Sequence, residues 1–135
     1  MKKFSLSKNE RIKLKRDFQK VYTQGNILYS SQSRVKVNYY LESSVNESGI
    51  KAAFVVSKRA GNAVWRNRVK RLFREAYRNN KLPLNELCYS KNLQLLMSFS
   101  PIKLNQKQNK KIKLDFILND FIGLLDKVKN KVQDA

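Results

Sequence analysis

The chain has 135 residues, which fits one domain with a modest core, and 41% of them are hydrophobic. It carries 29 Lys or Arg against 10 Asp or Glu, a formal net charge of +19, with no histidine and one cysteine, Cys88. These counts exclude Ser-His-Asp and Cys-His catalysis, His-ligated zinc, Cys-rich zinc sites and an intrachain disulfide.

So large an excess of one charge destabilises a compact chain by self-repulsion, and it therefore predicts a polyanionic partner, either nucleic acid or an anionic membrane. No run approaches the 18 or so apolar residues that span a bilayer, and a lone thiol suits a reducing compartment. We therefore expect a cytoplasmic protein without a membrane partner.

Residues 15–24 predict the first helix, which follows a basic arm at residues 1–14 that we expect to be mobile and to settle around residues 12–14. Gly25 is typical of the residue that follows a helix. The apolar residues of this helix recur at i, i+3 and i+4: Phe18, Val21 and Tyr22.

Three strands are predicted next, at about residues 27–29, 34–41 and 50–57, the last two joined by a polar hairpin loop. The second alternates strictly, so its side chains divide between two faces of a sheet. One face carries Val35, Val37, Tyr39 and Leu41, and the other carries Lys36, Asn38 and Tyr40.

The stretch from Ser57 to Arg78 is the most distinctive part of the chain. Eight of its 22 residues are Lys or Arg, and Glu75 is its one acidic residue. Asn62 is a strong helix N-cap, and it predicts a helix over residues 63–78. The apolar side chains fall within one helical arc: Trp65, Val69, Leu72, Phe73 and Ala76. The basic side chains occupy the other side: Arg66, Lys70, Arg71, Arg74 and Arg78.

Beyond this helix, residues 81–92 predict a polar connection, and Leu93 to Phe99 predict a strand that stops at Pro101. A basic run, Lys103 to Lys113, leads into a last helix in which Asp120 is the one polar interruption of the apolar face. The expected order is α-β-β-β-α-β-α, an α+β fold with helices packed on a sheet as a two-layer sandwich. We assign residues 1–128 to one domain and expect residues 129–135 to be a disordered tail.

Like charges four residues apart destabilise a helix, so the basic helix needs anions to offset its repulsion. Guanidinium groups suit phosphate, and the helix start at Gly61-Asn62 offers free amides as a second phosphate site. We therefore favour nucleic acid over membrane. Several aromatic side chains are either core residues or a platform for unpaired bases: Phe18, Tyr22, Tyr39, Tyr40 and Phe54.

No catalytic or metal site is predicted within the chain. Asp115, Asp120 and Asp126 share the last helix, but their spacings of five and six residues scatter them around its axis. A nuclease of the two-metal type needs carboxylates that converge. Any chemistry is therefore expected to come from a partner.

Residues 55–78 resemble the signature of the bacterial ribonuclease P protein component family, with Arg66-Asn67-Arg68 followed by Val69-Lys70-Arg71. The resemblance continues at residues 17–25. It implies a protein subunit that binds a catalytic RNA and the single-stranded 5′ leader of precursor tRNA and assists endonucleolytic removal of that leader. It also implies a left-handed crossover around the basic helix, against the usual right-handed preference.

The resemblance assigns contact with the catalytic RNA to Lys58, Arg59, Asn62, Arg66, Asn67, Arg68, Lys70, Arg71 and Arg74. It assigns a leader cleft to Phe18, Tyr22, Lys36 and Tyr39. It further implies Mg²⁺ bound mainly by the RNA, and no required protein partner. The alternative from the residues alone is a structural or ribosomal-type RNA-binding protein.

One position departs from the family pattern. Members commonly carry a basic residue just before the proline that ends the late strand, where this chain has Ser100. The run from Lys107 to Lys113 is either a replacement phosphate contact or a solvated linker.

Overall fold

The computed structural model of the protein describes residues 10–43 and 47–135. Within these residues the chain forms four α-helices, four strands and a 3₁₀ turn at Lys58–Ala60. The elements are α1 (Lys15–Thr23), β1 (Asn26–Tyr29), β2 (Val35–Ser43), β3 (Gly49–Phe54), α2 (Ala63–Asn80), α3 (Leu82–Ser90), β4 (Leu93–Pro101) and α4 (Leu114–Gln133). The predicted order is confirmed, with α3 as an addition.

The four strands form one sheet in the order β1-β2-β4-β3. β2 pairs antiparallel with β1 and β4, and β3 pairs parallel with β4. A parallel pair cannot be joined by a tight turn, so α2 and α3 fill the connection from β3 to β4. The left-handed sense of this crossover stays a prediction.

The two faces of the sheet pack against different helices. α2 and α4 cover one face, where Val37 of β2 and Met97 and Phe99 of β4 are fully buried. α1 lies on the other face, where Val21 packs with Leu96 of β4 and with Ile12. The predicted α+β sandwich is thus confirmed, and α1 adds a cover on the opposite face.

α2 begins where the sequence predicts and buries the predicted side. The Asn62 side chain accepts a hydrogen bond from the Trp65 amide at 2.9 Å, which caps the helix. Trp65, Val69, Phe73 and Ala76 are buried, Tyr77 is buried as well, and Leu72 is half-buried. Full burial of a side chain such as Phe73 contributes about 1.5–3 kcal/mol. The apolar side therefore anchors the helix and leaves its basic side outward.

The prediction of a polar connection at residues 81–92 is wrong, because α3 occupies most of it. Pro83 stands in the first turn, where a helix amide needs no intrahelical acceptor. Leu84 and Cys88 lie one turn apart and are both buried. Burial raises the pKa of the Cys88 thiol to about 11. The apolar face of α3 is short and its residues are separated by polar ones, so the sequence shows only a weak helical pattern.

The two ends of the chain differ in how they compare with the predictions. Residues 1–9 of the expected mobile arm lie outside the described residues, and residues 10–14 are held in place, as expected for residues 12–14. The Ile12 amide donates to the Ala52 carbonyl at 3.1 Å, and Glu10 forms an ion pair with the buried Lys81. The tail predicted from residue 129 is wrong, because α4 continues to Gln133 and buries Val132 completely.

Asp120, the polar interruption of the last helix, is buried with partners. Its Oδ2 accepts a hydrogen bond from the Ser30 hydroxyl at 2.8 Å. The same Ser30 oxygen accepts from the amides of Arg34 and Val35, each at 3.1 Å. This network connects the turn between β1 and β2 to α4, so Asp120 has a structural role.

Gly25 offers a test of how closely α1 approaches the sheet. A Cβ atom at this position would lie 2.3 Å from the Val21 carbonyl oxygen and 2.4 Å from that of Tyr39, both backbone atoms. We expect Gly25→Ala to lower the free energy of unfolding by about 1–3 kcal/mol, because helix and strand must separate. Urea denaturation measures the change.

Gly123 in α4 is the matched control, because nothing lies within 4 Å of a Cβ atom there. Gly123→Ala should raise the stability by about 0.5–1 kcal/mol, since alanine favours the helix. Equal effects of the two substitutions would contradict the close approach at Gly25.

Candidate nucleic-acid interface

The outward side of α2 carries two arginines that have no partner among the described residues. Arg71 and Arg74 are exposed, and neither forms a hydrogen bond or an ion pair within the described residues. Glu75 instead bonds to Arg78 at 2.5 Å, and this hydrogen bond lowers the pKa of the Glu75 carboxyl. The one acidic residue of the helix therefore pairs at its end, and within the described residues Arg71 and Arg74 stay available for an external anion.

The start of α2 adds a second group of donors. Lys58 and Arg59 are exposed on the 3₁₀ turn that precedes it, and Asn62 is exposed at the cap. The first turn of a helix leaves amides without intrahelical acceptors, and these include the amides of Ala63 and Val64. Positive dipole, free amides and neighbouring cations together favour an anion such as phosphate.

The three residues of the Arg66-Asn67-Arg68 motif occupy different environments. Asn67 is exposed, whereas Arg66 is half-buried and its Nε has no hydrogen-bond partner in the described part of the chain. Arg68 is exposed, but its Nε donates to the Ile112 carbonyl at 2.9 Å. Arg68 therefore also holds the segment before α4, which separates its role from that of its neighbours.

Lys70 and Arg74 extend the basic side of α2 toward α1. Together with Arg11 they border a cavity of about 300 Å³ between α1, β3 and α2. Apolar residues including Phe18 and Ala53 form the rest of its lining. The cavity combines three cations with an apolar floor, so it suits a ligand that is both anionic and partly apolar.

Beside α1 the sheet presents a polar and aromatic surface, here called the α1 groove. It consists of Tyr22, which is exposed, Phe18 and Lys36, which are half-buried, and Asn38 and Ser98, which are buried beneath them. The Tyr22 hydroxyl lies 2.5 Å from the Ser98 hydroxyl, while the tyrosine itself is 47% exposed. Asn38 is buried, and its Oδ1 has no hydrogen-bond partner among the described residues.

Pairing in the sheet places the polar groups of the α1 groove together. Asn38 stands directly opposite Ser98, and Lys36 opposite Ser100. Directly opposed residues of an antiparallel pair project to the same face. Lys36 thus supplies a cation beside Ser100, at the position where the family pattern commonly has a basic residue.

The structure does not place Tyr39 in the α1 groove. Tyr39 is buried with Val37 on the face that α2 and α4 cover, whereas Phe18 packs on the opposite face. The prediction joined Lys36 and Tyr39 although they differ by three positions, and alternation sends such residues to opposite faces. Tyr40 is the tyrosine that packs near Phe18.

Sequence reasoning missed Arg11 and Ser98. Alternation does place Asn38 on the face of Lys36, but the leader cleft is assigned without it. Ser98 requires the register between β2 and β4, and Arg11 requires its bridge to Ala52 of β3. Neither pairing leaves a local signal in the sequence.

Two further findings bear on the kind of site this is. Across residues 10–43 and 47–135, no three His, Cys, Asp or Glu residues come close enough together to hold a metal ion. In the same residues, no helix combines the length and apolar character needed to cross a membrane. The candidate site therefore consists of the basic side of α2 and the α1 groove.

Fold and surface together define a small α+β protein with a basic helix and an adjoining groove. The family model for ribonuclease P matches residues 6–120. The chain therefore belongs to the ribonuclease P protein family and is a protein component of a ribonucleoprotein enzyme that processes tRNA.

Individual relatives agree with this assignment. The ribonuclease P protein component of Petrotoga mobilis is 34% identical over 113 residues, covering 82% of this chain and 92% of the relative. That of Porphyromonas gingivalis strain W83 is 38% identical over 96 residues, covering 71% and 69%. Identity at this level over most of both chains indicates a shared fold and family.

Solved structures confirm the fold. The RNase P protein of Staphylococcus aureus matches with a TM-score of 0.60 and 25% identity, over 89% of this chain and 95% of that one. The RNase P protein of Thermotoga maritima matches with a TM-score of 0.60 and 23% identity, over 90% and 96%. The second likeness bears on the fold alone.

Proposed function

We propose that this protein binds the ribonuclease P RNA through the basic side of α2 and the turn before it. In the same complex the α1 groove holds the single-stranded 5′ leader of precursor tRNA, whose endonucleolytic removal gives the mature 5′ end. The observation that carries this proposal is the row of exposed α2 cations without acidic partners in the described structure.

The electrostatic argument concerns where charge is concentrated. Arg71 and Arg74 stand on the exposed side of one helix, and Lys58 and Arg59 stand at its start. RNA backbones carry closely spaced phosphates, and each lysine or arginine contact releases bound counterions, which drives association. Such a helix can also screen the repulsion between two RNAs brought together.

The α1 groove suits an unpaired strand. The exposed ring of Tyr22 offers a surface for stacking a base, and Lys36 offers a contact for its phosphate. On the same face, the buried Oδ1 of Asn38 has no donor among the described residues, so a ligand that displaced its cover could supply one. A double helix keeps its bases stacked inside, so these features favour the leader over the paired body of tRNA.

The chemistry is assigned to the RNA subunit. The described residues lack a group of carboxylates that could bind the metal ions of phosphodiester hydrolysis. We therefore place the Mg²⁺ of the holoenzyme mainly on the RNA, and we assign no catalytic step to a side chain of this protein. Its contribution is affinity and positioning.

Cleavage of precursor tRNA at low Mg²⁺ tests the proposal, with the protein alone, the ribonuclease P RNA alone, and both. We expect no cleavage by the protein alone and faster cleavage by the RNA once the protein is added. Cleavage by the protein alone would overturn the division of labour. Binding of the RNA without any effect on cleavage would favour the structural RNA-binding alternative.

Arg71→Gln combined with Arg74→Gln tests the α2 surface. Neither side chain has an internal partner in the described chain, so the fold should be unaffected. We expect weaker binding of the ribonuclease P RNA and a salt slope of log K smaller by about 1.5–2, since two phosphate contacts are lost. Lys129→Gln combined with Lys131→Gln, near the end of α4, removes equal charge as the control. Equal slopes for the two variants would remove α2 from the interface.

Tyr22→Ala tests the α1 groove. Loss of one stacked base costs about 1–3 kcal/mol, so the holoenzyme should lose its preference for precursor over mature tRNA by that amount. Tyr39→Phe is the control, because Tyr39 is buried on the other face of the sheet. Competition binding with the two tRNAs measures the preference, and equal losses for both tRNAs in Tyr22→Ala would assign Tyr22 to the fold.

A further inference from the structure

Residues 103–113, here called the basic loop, connect β4 to α4 and contain five lysines and no acidic residue. Lys103, Lys107, Lys110, Lys111 and Lys113 are all exposed. None of them forms an ion pair with a described carboxylate. The loop is thus a second concentration of unpaired positive charge.

The basic loop is fixed to the start of α2 and is not a free linker. The Gln106 side chain accepts a hydrogen bond from the Asn62 amide at 2.8 Å, and the Gln106 amide donates to the Ala60 carbonyl at 2.7 Å. Further along, the Trp65 indole N–H donates to the Asn109 carbonyl at 2.9 Å. These bonds join the loop to the cap and first turn of the helix.

Two apolar anchors and an internal turn complete the attachment. Leu104 and Ile112 are buried in the same core as Trp65, and the Ile112 carbonyl accepts the hydrogen bond from Arg68. Within the loop, the Asn105 side chain accepts from the Gln108 amide at 2.9 Å. The loop backbone has already lost its conformational freedom on folding, so binding an anion adds little ordering cost beyond the lysine side chains.

The lysines also border a concave surface. A cavity of about 530 Å³ lies between the basic loop and the first turn of α4. Its lining includes Lys110, Lys111 and Lys113, together with Phe116, which is 40% exposed. Asp115 is the one carboxylate in this lining, so the cations outnumber it. A concave basic surface concentrates positive potential, which favours binding of a polyanion over binding of separate small anions.

We propose that the basic loop is a second contact surface for the ribonuclease P RNA, continuous with the start of α2. The inference rests on the proposed function of α2. RNA bound at the α2 cap lies next to the basic loop, because Asn62 bonds directly to Gln106. The lysines then bind phosphates that follow along the same RNA.

The two faces of the sheet indicate whether the basic loop meets the ribonuclease P RNA or the tRNA leader. The basic loop is attached to α2 and shares the core of α2 and α4, on one face of the sheet, whereas Phe18 of the α1 groove packs on the other face. A leader held in the α1 groove is therefore separated from the loop by the sheet. The partner of the loop is the RNA docked on α2.

The triple variant Lys107→Gln, Lys110→Gln, Lys111→Gln tests this surface in the full-length protein. The three side chains are exposed and have no described partner, so the fold should persist, which a thermal melt verifies. We expect affinity for the ribonuclease P RNA to fall about tenfold or more near 0.1 M salt, and the salt slope of log K to fall by about 2–3. Binding is measured with the RNA alone, without precursor tRNA.

Two matched proteins complete the experiment. Lys127→Gln, Lys129→Gln, Lys131→Gln removes the same charge from the last turns of α4, with loss of one hydrogen bond from Lys127 to the Tyr29 carbonyl, and should keep the wild-type slope. Lys107→Arg, Lys110→Arg, Lys111→Arg keeps the charge and should also keep the slope. Backbone footprinting should show protections that disappear in the loop variant and persist in Arg71→Gln, Arg74→Gln.

The outcomes separate this inference from the proposed function. A loop variant that binds like the α4 control, while the α2 variant is impaired, overturns the inference and leaves the function standing. A loss confined to precursor tRNA binding also overturns it, since the loop then serves the substrate. If the wild-type protein neither binds nor stimulates the ribonuclease P RNA, the proposed function itself fails.

Discussion

The structure depends on the burial of β4 on both faces. β4 lies between β2 and β3, and Leu95, Leu96, Met97, Ser98 and Phe99 are all fully buried. Both faces of such a strand require cover, so helices must lie on each side of the sheet. Its parallel pairing with β3 also requires a long connection, and α2 is the main part of that connection. The position of the basic helix thus follows from the burial of β4 and its parallel pairing with β3.

In this position α2 lies between the cavity beside α1 and the basic loop. On one flank, Lys70 and Arg74 border the cavity shared with Phe18 of α1. On the other flank, Trp65 and Arg68 donate to the carbonyls of the basic loop. One helix therefore connects the cavity beside α1 with an extended basic surface. The cations of this helix repel one another and lower the stability of the fold. A bound polyanion offsets that repulsion.

The two-sided sheet also keeps the proposed roles apart. Alternation along β2 sends Val37 and Tyr39 into the core and Lys36 and Asn38 to the α1 groove. A residue from the second set can meet a ligand without weakening the core. The Oδ1 of Asn38 fits this view: it has no donor among the described residues, and a buried acceptor without a donor costs free energy that a hydrogen bond from a ligand can recover.

The sequence by itself determined the α+β class, the limits of α2, its Asn62 cap and its charged side, because helical periodicity, capping and charge are local properties. It also determined the family, through residues 55–78. Tertiary structure alone decided the rest of the site. The register of β2 against β4 brings Ser98 beside Asn38, and the packing of the basic loop on α2 turns Arg68 into a structural donor. Such contacts join residues far apart in the chain, and they arise from the shared burial of apolar side chains, which no single segment encodes.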